Sequence, residues 1–481
     1  MDCYRYIKSI CLNYYRLKKD RFGILPDMEL IWQIIFYYKG TMNISERRNF
    51  IKQSIGFALS LPALLSFKTN YQEVTYPKIL FRMGWNNNDN NDLALIPAIY
   101  RLAQKAILKT EFYLWLGESD EKLMEMLNKN FTSLKLVTGE IDESGQPSTD
   151  ELKNALSESD LFFYTPGSAT HIDWSGLDNT GIETRSLQYC LDNSITYALM
   201  GLGELQEDKE SLDRLVKIAN GAEFVYSTSS TIDKLMKDKN IKIPKIQTLP
   251  NPLFGFDLRD DSQSRKVLQG YYLLDKDFLT VDFKVQGISD EKLSEYSRKV
   301  INLISSWVKE TDKNVLLLPN HDADVEYTIK NIYDLIPDEI KSKVAISKER
   351  LMPDLAASIY EKSRIVCGMS LFPACSTIRS GNPVMFLTPA DVSARAKTIE
   401  DMGLKNSIQD LDSRSEEELS EVLLEIDEKY LNGIIESDKA REYATKKLMD
   451  HFDDINRFVN KMADKKENEK KKEKKKKEKE S

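Results

Sequence analysis

Short apolar runs alternate with amphipathic stretches of roughly ten to fifteen residues along most of this chain, and that rhythm limits the fold more than any single motif. Ile79–Arg82 reads as a first strand, and "LALIPAIYRLAQKAIL" has helical spacing. "TEFYLWLG", "TSLKLVTG", "LFFYTPGS", "SITYALMGLG" and "EFVYS" follow as strands. The helical stretches between them include "STDELKNALSESD", with Ser148 or Thr149 as its N-cap. A Pro-rich crossing, "IPKIQTLPNPLF", interrupts the pattern, which then restarts. "DFLTVDFKV", "NVLLLPNHDAD", "KVAIS", "RIVCGMS" and "PVMFLT" are strands, separated by the helices "SDEKLSEYSRKVINLISSWVKET", "EYTIKNIYDLIP", "MPDLAASIYEKS" and "FPACSTIRSG". Strands alternating with helices build βαβ units and parallel sheets. The expectation is an α/β protein of two Rossmann-like domains facing a cleft, over residues 76–250 and 251–412. Its ligands would sit beyond the carboxyl ends of the strands. Residues 413–462 read as helices packed back on the body. Residues 463–481, almost wholly Lys and Glu, cannot bury apolar area and read as a disordered tail or a solvated helix.

The N-terminal part has a different texture. "ERRNFIKQSIGFALSLPALLSF" carries Arg47-Arg48-x-Phe50-Ile51-Lys52 ahead of a moderately apolar run, which resembles a twin-arginine export signal. Met42 stands just upstream, so residues 42–67 read as the signal and 1–41 as an extension from an earlier start. The implied partner is the twin-arginine translocase, and the implied location is periplasmic or otherwise outside the cytoplasm. The chain would be cytoplasmic if the signal is unused. The apolar run Ile55–Phe67 is shorter than the roughly 18 residues of a membrane span.

A net charge of −8 over 481 residues argues against a nucleic-acid partner. Five Cys without C-x-x-C spacing provide neither a disulfide framework nor a zinc pattern, and three His exclude a multi-His metal centre.

From residue 77 to about 412 the order of motifs resembles the polysaccharide pyruvyl transferase family. "GWNNNDNNDLALIPAIYRL" stands where that family has a Gly/Asn-rich loop and a Gly-Asp pair entering a helix. "FFYTPGSAT" stands at its Gly-rich turn, and "LPNHDAD" resembles its strand ending in Pro-His with a nearby Asp. Gly381-Asn382-Pro383 matches its closing Gly-x-Pro. The resemblance implies two domains similar to GT-B glycosyltransferases. It also implies transfer of pyruvate from phosphoenolpyruvate to a sugar of an envelope polysaccharide, with no cofactor beyond that donor. Such chemistry needs a cationic or N–H-rich pocket for phosphate and carboxylate. It also needs an acid to protonate the vinyl carbon and a base for the attacking hydroxyl.

By the same resemblance His321 and Asp324 are the candidate catalytic residues, and Asn88, Asp92, Ser168, Arg259 and Arg379 the candidate substrate-binding ones. His321 also reads as a loop histidine at a helix N-terminus, and Asp92 as a helix cap. The sequence departs from the family where Ser227 and Thr228 replace an Arg-Asp pair and Leu371-Phe372 replace a His. Arg82, Arg259 and Arg379 are the available substitutes for the missing cation. The departures open a second reading, an exported, catalytically degenerate relative that binds a glycan or assists assembly.

Overall fold

The computed structural model describes residues 76–83, 89–116, 121–165, 182–202, 209–228, 230, 234, 238, 246–389 and 393–480. The chain divides into two compact units, Met1–Val74 and Thr75–Ser481, and all described residues belong to the second. The segments read as an export signal and an upstream extension, residues 1–67, and Asn88 and Ser168 lie outside the described residues.

Two parallel sheets form the body. The first contains β1 (Lys78–Met83), β2 (Glu111–Leu116), β3 (Lys135–Thr138), β4 (Leu161–Thr165), β5 (Tyr197–Leu202), β6 (Phe224–Ser227) and β7 (Ile246–Thr248), in the order β3-β2-β1-β4-β5-β6-β7. The second contains β8 (Phe278–Asp282), β9 (Asn314–Leu317), β10 (Val344–Ile346), β11 (Ile365–Gly368), β12 (Val384–Thr388) and β13 (Ile408–Asp410), in the order β10-β9-β8-β11-β12-β13. Each sheet thus runs outward from its first strand and then reverses, the doubly wound Rossmann arrangement. Strands β4, β8 and β12 are buried at every residue, as parallel strands covered on both faces must be.

Two strands are absent from the sequence reading. β7 falls within the Pro-rich crossing and belongs to the first sheet, and β13 closes the second. Both are three-residue edge strands, Ile-Gln-Thr and Ile-Gln-Asp, too short to carry a periodic signal.

The helices that position the site are α1 (Asn90–Ala106), α2 (Asp290–Thr311), α3 (Asp322–Asn331), α4 (Pro353–Lys362), α5 (Leu371–Arg379) and α6 (Tyr430–Glu480). One face of the first sheet, with Leu80, Trp115, Phe162 and Tyr164, packs in a core of its own. One face of the second sheet, with Leu279, Val281, Val315 and Leu317, packs on Leu303, Ile304 and Trp307 of α2. The opposite faces share a core: Phe81 and Phe163 from the first sheet join Leu316, Val366 and Phe386 from the second, through α1, α5 and Phe254. Apolar packing therefore couples the two domains directly.

The last helix runs through this shared core. Ala440, Ala444, Leu448, Phe452, Ile455 and Val459 recur three or four residues apart and are all buried. Gly433 lets its first turn rest on Pro383, because an added Cβ would meet that ring at 2.7 Å. Farther along, Phe452 stacks on Phe163, Phe458 meets Phe224 edge-on, and Lys466 reaches Asp160 at 2.6 Å. His451 is buried against the Tyr226 ring, its centroid 3.7 Å away, so it is a packing residue. The Lys/Glu-rich end, which composition leaves as a disordered tail or a solvated helix, is helical and continues α6 to Glu480. Both residue types are good helix formers. No helix among the described residues is long and apolar enough to cross a membrane.

Candidate active site between the two sheets

Strand β8 ends in a carboxylate. Asp282 is 1% exposed, its Oδ2 accepts from the Ser370 N–H at 2.9 Å, and its Oδ1 has no hydrogen-bond partner. Gly368 lies opposite it in register on β11, and the absence of a side chain there makes its room: a Cβ would stand 2.9 Å from Asp282 Cβ. Two residues beyond β8, Lys284 is 7% exposed and makes no hydrogen bond or ion pair among the described residues. Asp324, in the first turn of α3, is fully buried. Its Oδ1 accepts from the Val285 N–H at 2.9 Å and its Oδ2 has no partner.

Burial decides the protonation of this group. It pushes Asp282 up to about 6. It pushes Asp324 up to about 8, with the charge of Asp282 adding to the effect. Burial presses Lys284 below the ordinary lysine value, helped by Arg395 and opposed by Asp89, Asp324 and Asp282. At neutral pH Asp324 is a carboxylic acid, with Asp282 ionised nearby. That is the pairing of a proton donor with a carboxylate base.

His321 has a different role. It is the N-cap of α3, its Nδ1 accepts from the Ala323 N–H at 2.9 Å, and its Nε2 lies 2.7 Å from the side-chain amide of Gln286. Accepting at Nδ1 leaves the proton of the neutral ring on Nε2. Burial lowers its pKa from the usual value, against the pull of Asp89. The cap reading accounts for the Nδ1 contact, whereas Nε2–H faces the amide nitrogen of Gln286, which is also a donor, and makes no hydrogen bond to it.

The amide-rich stretch forms a latch between the domains. Asp89 caps α1 and bridges to His321. The Asn90 N–H donates to Asn320 O at 3.1 Å, and the Asn90 side chain donates to Leu351 O and accepts from Arg350, at 2.8 and 2.7 Å. Asn91 Oδ1 accepts from the Phe372 N–H at 2.7 Å. The start of α1 thus meets the start of α5, and Asn91 and Asp282 take N–H groups that a helix N-terminus otherwise offers to an anion. Asp92 is buried in the first turn of α1 beside them.

Of the residues singled out by sequence, the structure brings His321, Asp324 and Asp92 to this junction. It leaves Arg259 and Arg379 elsewhere. Arg379 ends the nine-residue helix α5, whose first residue is at the junction. At ~1.5 Å per residue that is about 12 Å away. Asp282 and Lys284 were not singled out. Their signal was available: polar residues at 282 and 284 interrupt an apolar strand at its carboxyl end. Among the described residues no cluster of three or more His, Cys, Asp or Glu is placed to hold a metal ion.

No family model matches this chain, and no curated protein does. Solved structures do. Anabaena HepE, determined in complex with UDP-glucose, is 13% identical, with a TM-score of 0.52 over 80% of this chain and 99% of its own. S. aureus MnaA, determined with UDP, is 13% identical, with a TM-score of 0.50 over 77% of this chain and 92% of its own. This chain has the GT-B arrangement of two facing Rossmann-like domains. At such identities the likeness is one of fold.

Proposed function

We propose that this chain is a sugar-modifying enzyme working from the junction of its two sheets, and that it transfers pyruvate from phosphoenolpyruvate to a sugar of an envelope polysaccharide. The observation that supports it most is Asp324, a buried carboxyl group protonated at neutral pH, with ionised Asp282 and the poorly solvated Lys284 nearby. In this reaction a sugar hydroxyl attacks the central carbon of the donor and gives its proton to Asp282. Asp324 protonates the vinyl carbon, which becomes a methyl group, and the proton on Asp282 then passes back to Asp324. A second hydroxyl then displaces phosphate, which leaves as inorganic phosphate and carries off the second hydroxyl proton, and a cyclic ketal remains. Lys284 would offset the negative charge of the donor. Phosphoenolpyruvate is a cytoplasmic metabolite, so passage of the export-like segment through the twin-arginine translocase would belong with the second reading.

The latch favours a second reading, a glycan-binding relative without turnover. With Asn91 and Asp282 on the start of α5, a donor phosphate reaches those N–H groups only if the domains part. Calorimetric titration of phosphoenolpyruvate, and separately of UDP-glucose, into the whole chain tests both readings. Micromolar binding of phosphoenolpyruvate, with phosphate release that Asp324→Asn abolishes, supports transfer. No heat at millimolar phosphoenolpyruvate would refute it, and binding of UDP-glucose alone would move the chain to nucleotide-sugar chemistry.

A further inference from the structure

The far end of α5 opens into a cavity of about 890 Å³, away from the junction, lined in part by Arg259, Arg379, Ser380, Arg441, Thr445 and Lys446. Its cations are unequally neutralised. Arg259 is held by Glu361 at 2.7 Å and reaches the Ser380 hydroxyl with Nη2 at 3.4 Å. Arg441 is paired with Asp438 at 2.9 Å, and Lys446 with Asp450 at 2.6 Å. Among the described residues Arg379 makes one hydrogen bond, from Nη1 to Phe254 O at 2.9 Å. Its nearest carboxylate, Asp257, is 3.9 Å away and already holds Arg101 at 3.1 Å and Lys105 at 2.8 Å. Burial lowers the pKa of Arg379, and the neighbouring charges of Arg259 and Arg441 act in the same direction against Asp257. A site of this kind gains from an added oxyanion. A guanidinium presents a planar fork to phosphate, and Arg259 Nη2 with the Ser380 hydroxyl adds donors beside it.

We propose that this cavity binds the phosphate monoester of a small hydroxyl-bearing molecule, a sugar phosphate in chemical class. The phosphate sits against Arg379, Arg259 and Ser380. The hydroxyl groups donate to the carboxylates of Asp257 and Glu442, which share the lining. The site is separate from the junction, so it stands whether or not the transfer reaction does.

The test is calorimetric titration of the whole chain with glucose 6-phosphate, inorganic phosphate and glucose. Glucose 6-phosphate is expected to bind most tightly, with affinity falling roughly ten- to hundredfold in Arg379→Gln, as loss of a charged hydrogen bond implies. Thr445 is exposed, so Thr445→Glu puts a negative charge in the cavity without disturbing packing, and it should weaken binding at least as much. Asp324→Asn, at the junction, should leave this binding unchanged. Unaltered affinity in both cavity variants would overturn the site. Equal binding of glucose and its phosphate would overturn the oxyanion, and equal binding of inorganic phosphate would overturn the sugar.

Discussion

Replacing Asp324 by Asn should stabilise the chain, by an amount that grows with pH. In the unfolded chain an aspartate ionises near pH 3.9. In the folded protein burial and Asp282 hold Asp324 protonated up to about 8. Between those values the folded state binds one more proton than the unfolded state. Stability therefore falls as pH rises, by up to ~1.4 kcal/mol per pH unit. From pH 5 to pH 7 the loss from this one group is roughly 2–3 kcal/mol. Asn is neutral in both states and keeps an oxygen for the Val285 N–H, so the variant lacks that loss. Asp282 adds its own fall below about pH 6, but it titrates while Asp324 is still neutral, as Asn is, so it drops out of the comparison. Urea unfolding at pH 5, 6 and 7, followed by tryptophan fluorescence, reads the effect, with Trp307 buried in the second core. The gap between variant and wild type should widen by roughly 2–3 kcal/mol across that range. Parallel stability curves would refute a protonated Asp324, and with it the proton donor proposed for the reaction.

Three further outcomes follow from the same geometry. Gly368→Ala sets a Cβ 2.9 Å from Asp282 Cβ and 3.3 Å from its carbonyl oxygen, so thermal melts should show a loss of about 1–3 kcal/mol; an unchanged melting temperature would contradict the close approach. Asn91→Ala leaves the Phe372 N–H without its acceptor, at a cost of about 1–3 kcal/mol, and amide exchange at Phe372 should accelerate while Trp115 in the first core stays protected. His451 is held down to about 4 by burial, while an unfolded histidine takes up its proton near 6.5. Its contribution is therefore lost as pH falls from about 6.5 to 4, and His451→Phe should flatten the acid limb of the stability curve.

The doubly wound architecture was legible because its signal is long-range: many fully apolar strands between amphipathic helices leave few alternatives. The Pro-rich crossing misled at one point, since prolines flank β7 and hide a strand that needs only three residues. The site was legible in part. "NHDAD" marked the start of α3, but the same residues fit a cap and a catalytic acid, and only their hydrogen bonds separate them: His321 Nδ1 takes the Ala323 N–H, whereas Asp324 Oδ2 has no partner among the described residues. "GWNNNDNND" read as the family's Gly/Asn-rich loop, whereas the partners of Asn90 and Asn91, namely Asn320, Leu351 and Phe372, lie more than 200 residues away in sequence. Arg259 and Arg379 resembled missing donor contacts, and nothing in a linear pattern reveals that a helix separates them from the junction.

The last helix has a consequence for how the protein is made. Phe452, Ile455 and Val459 cover a face of the first sheet, whose last strand ends at Thr248. Some ~200 residues must therefore leave the ribosome after that sheet before its covering arrives. At ~5–20 residues per second this takes about 10–40 s. During that interval Phe163 and its neighbours have no partner from the helix, so the nascent first domain presents an apolar surface to chaperones. The first domain to be synthesised is then the last to be finished.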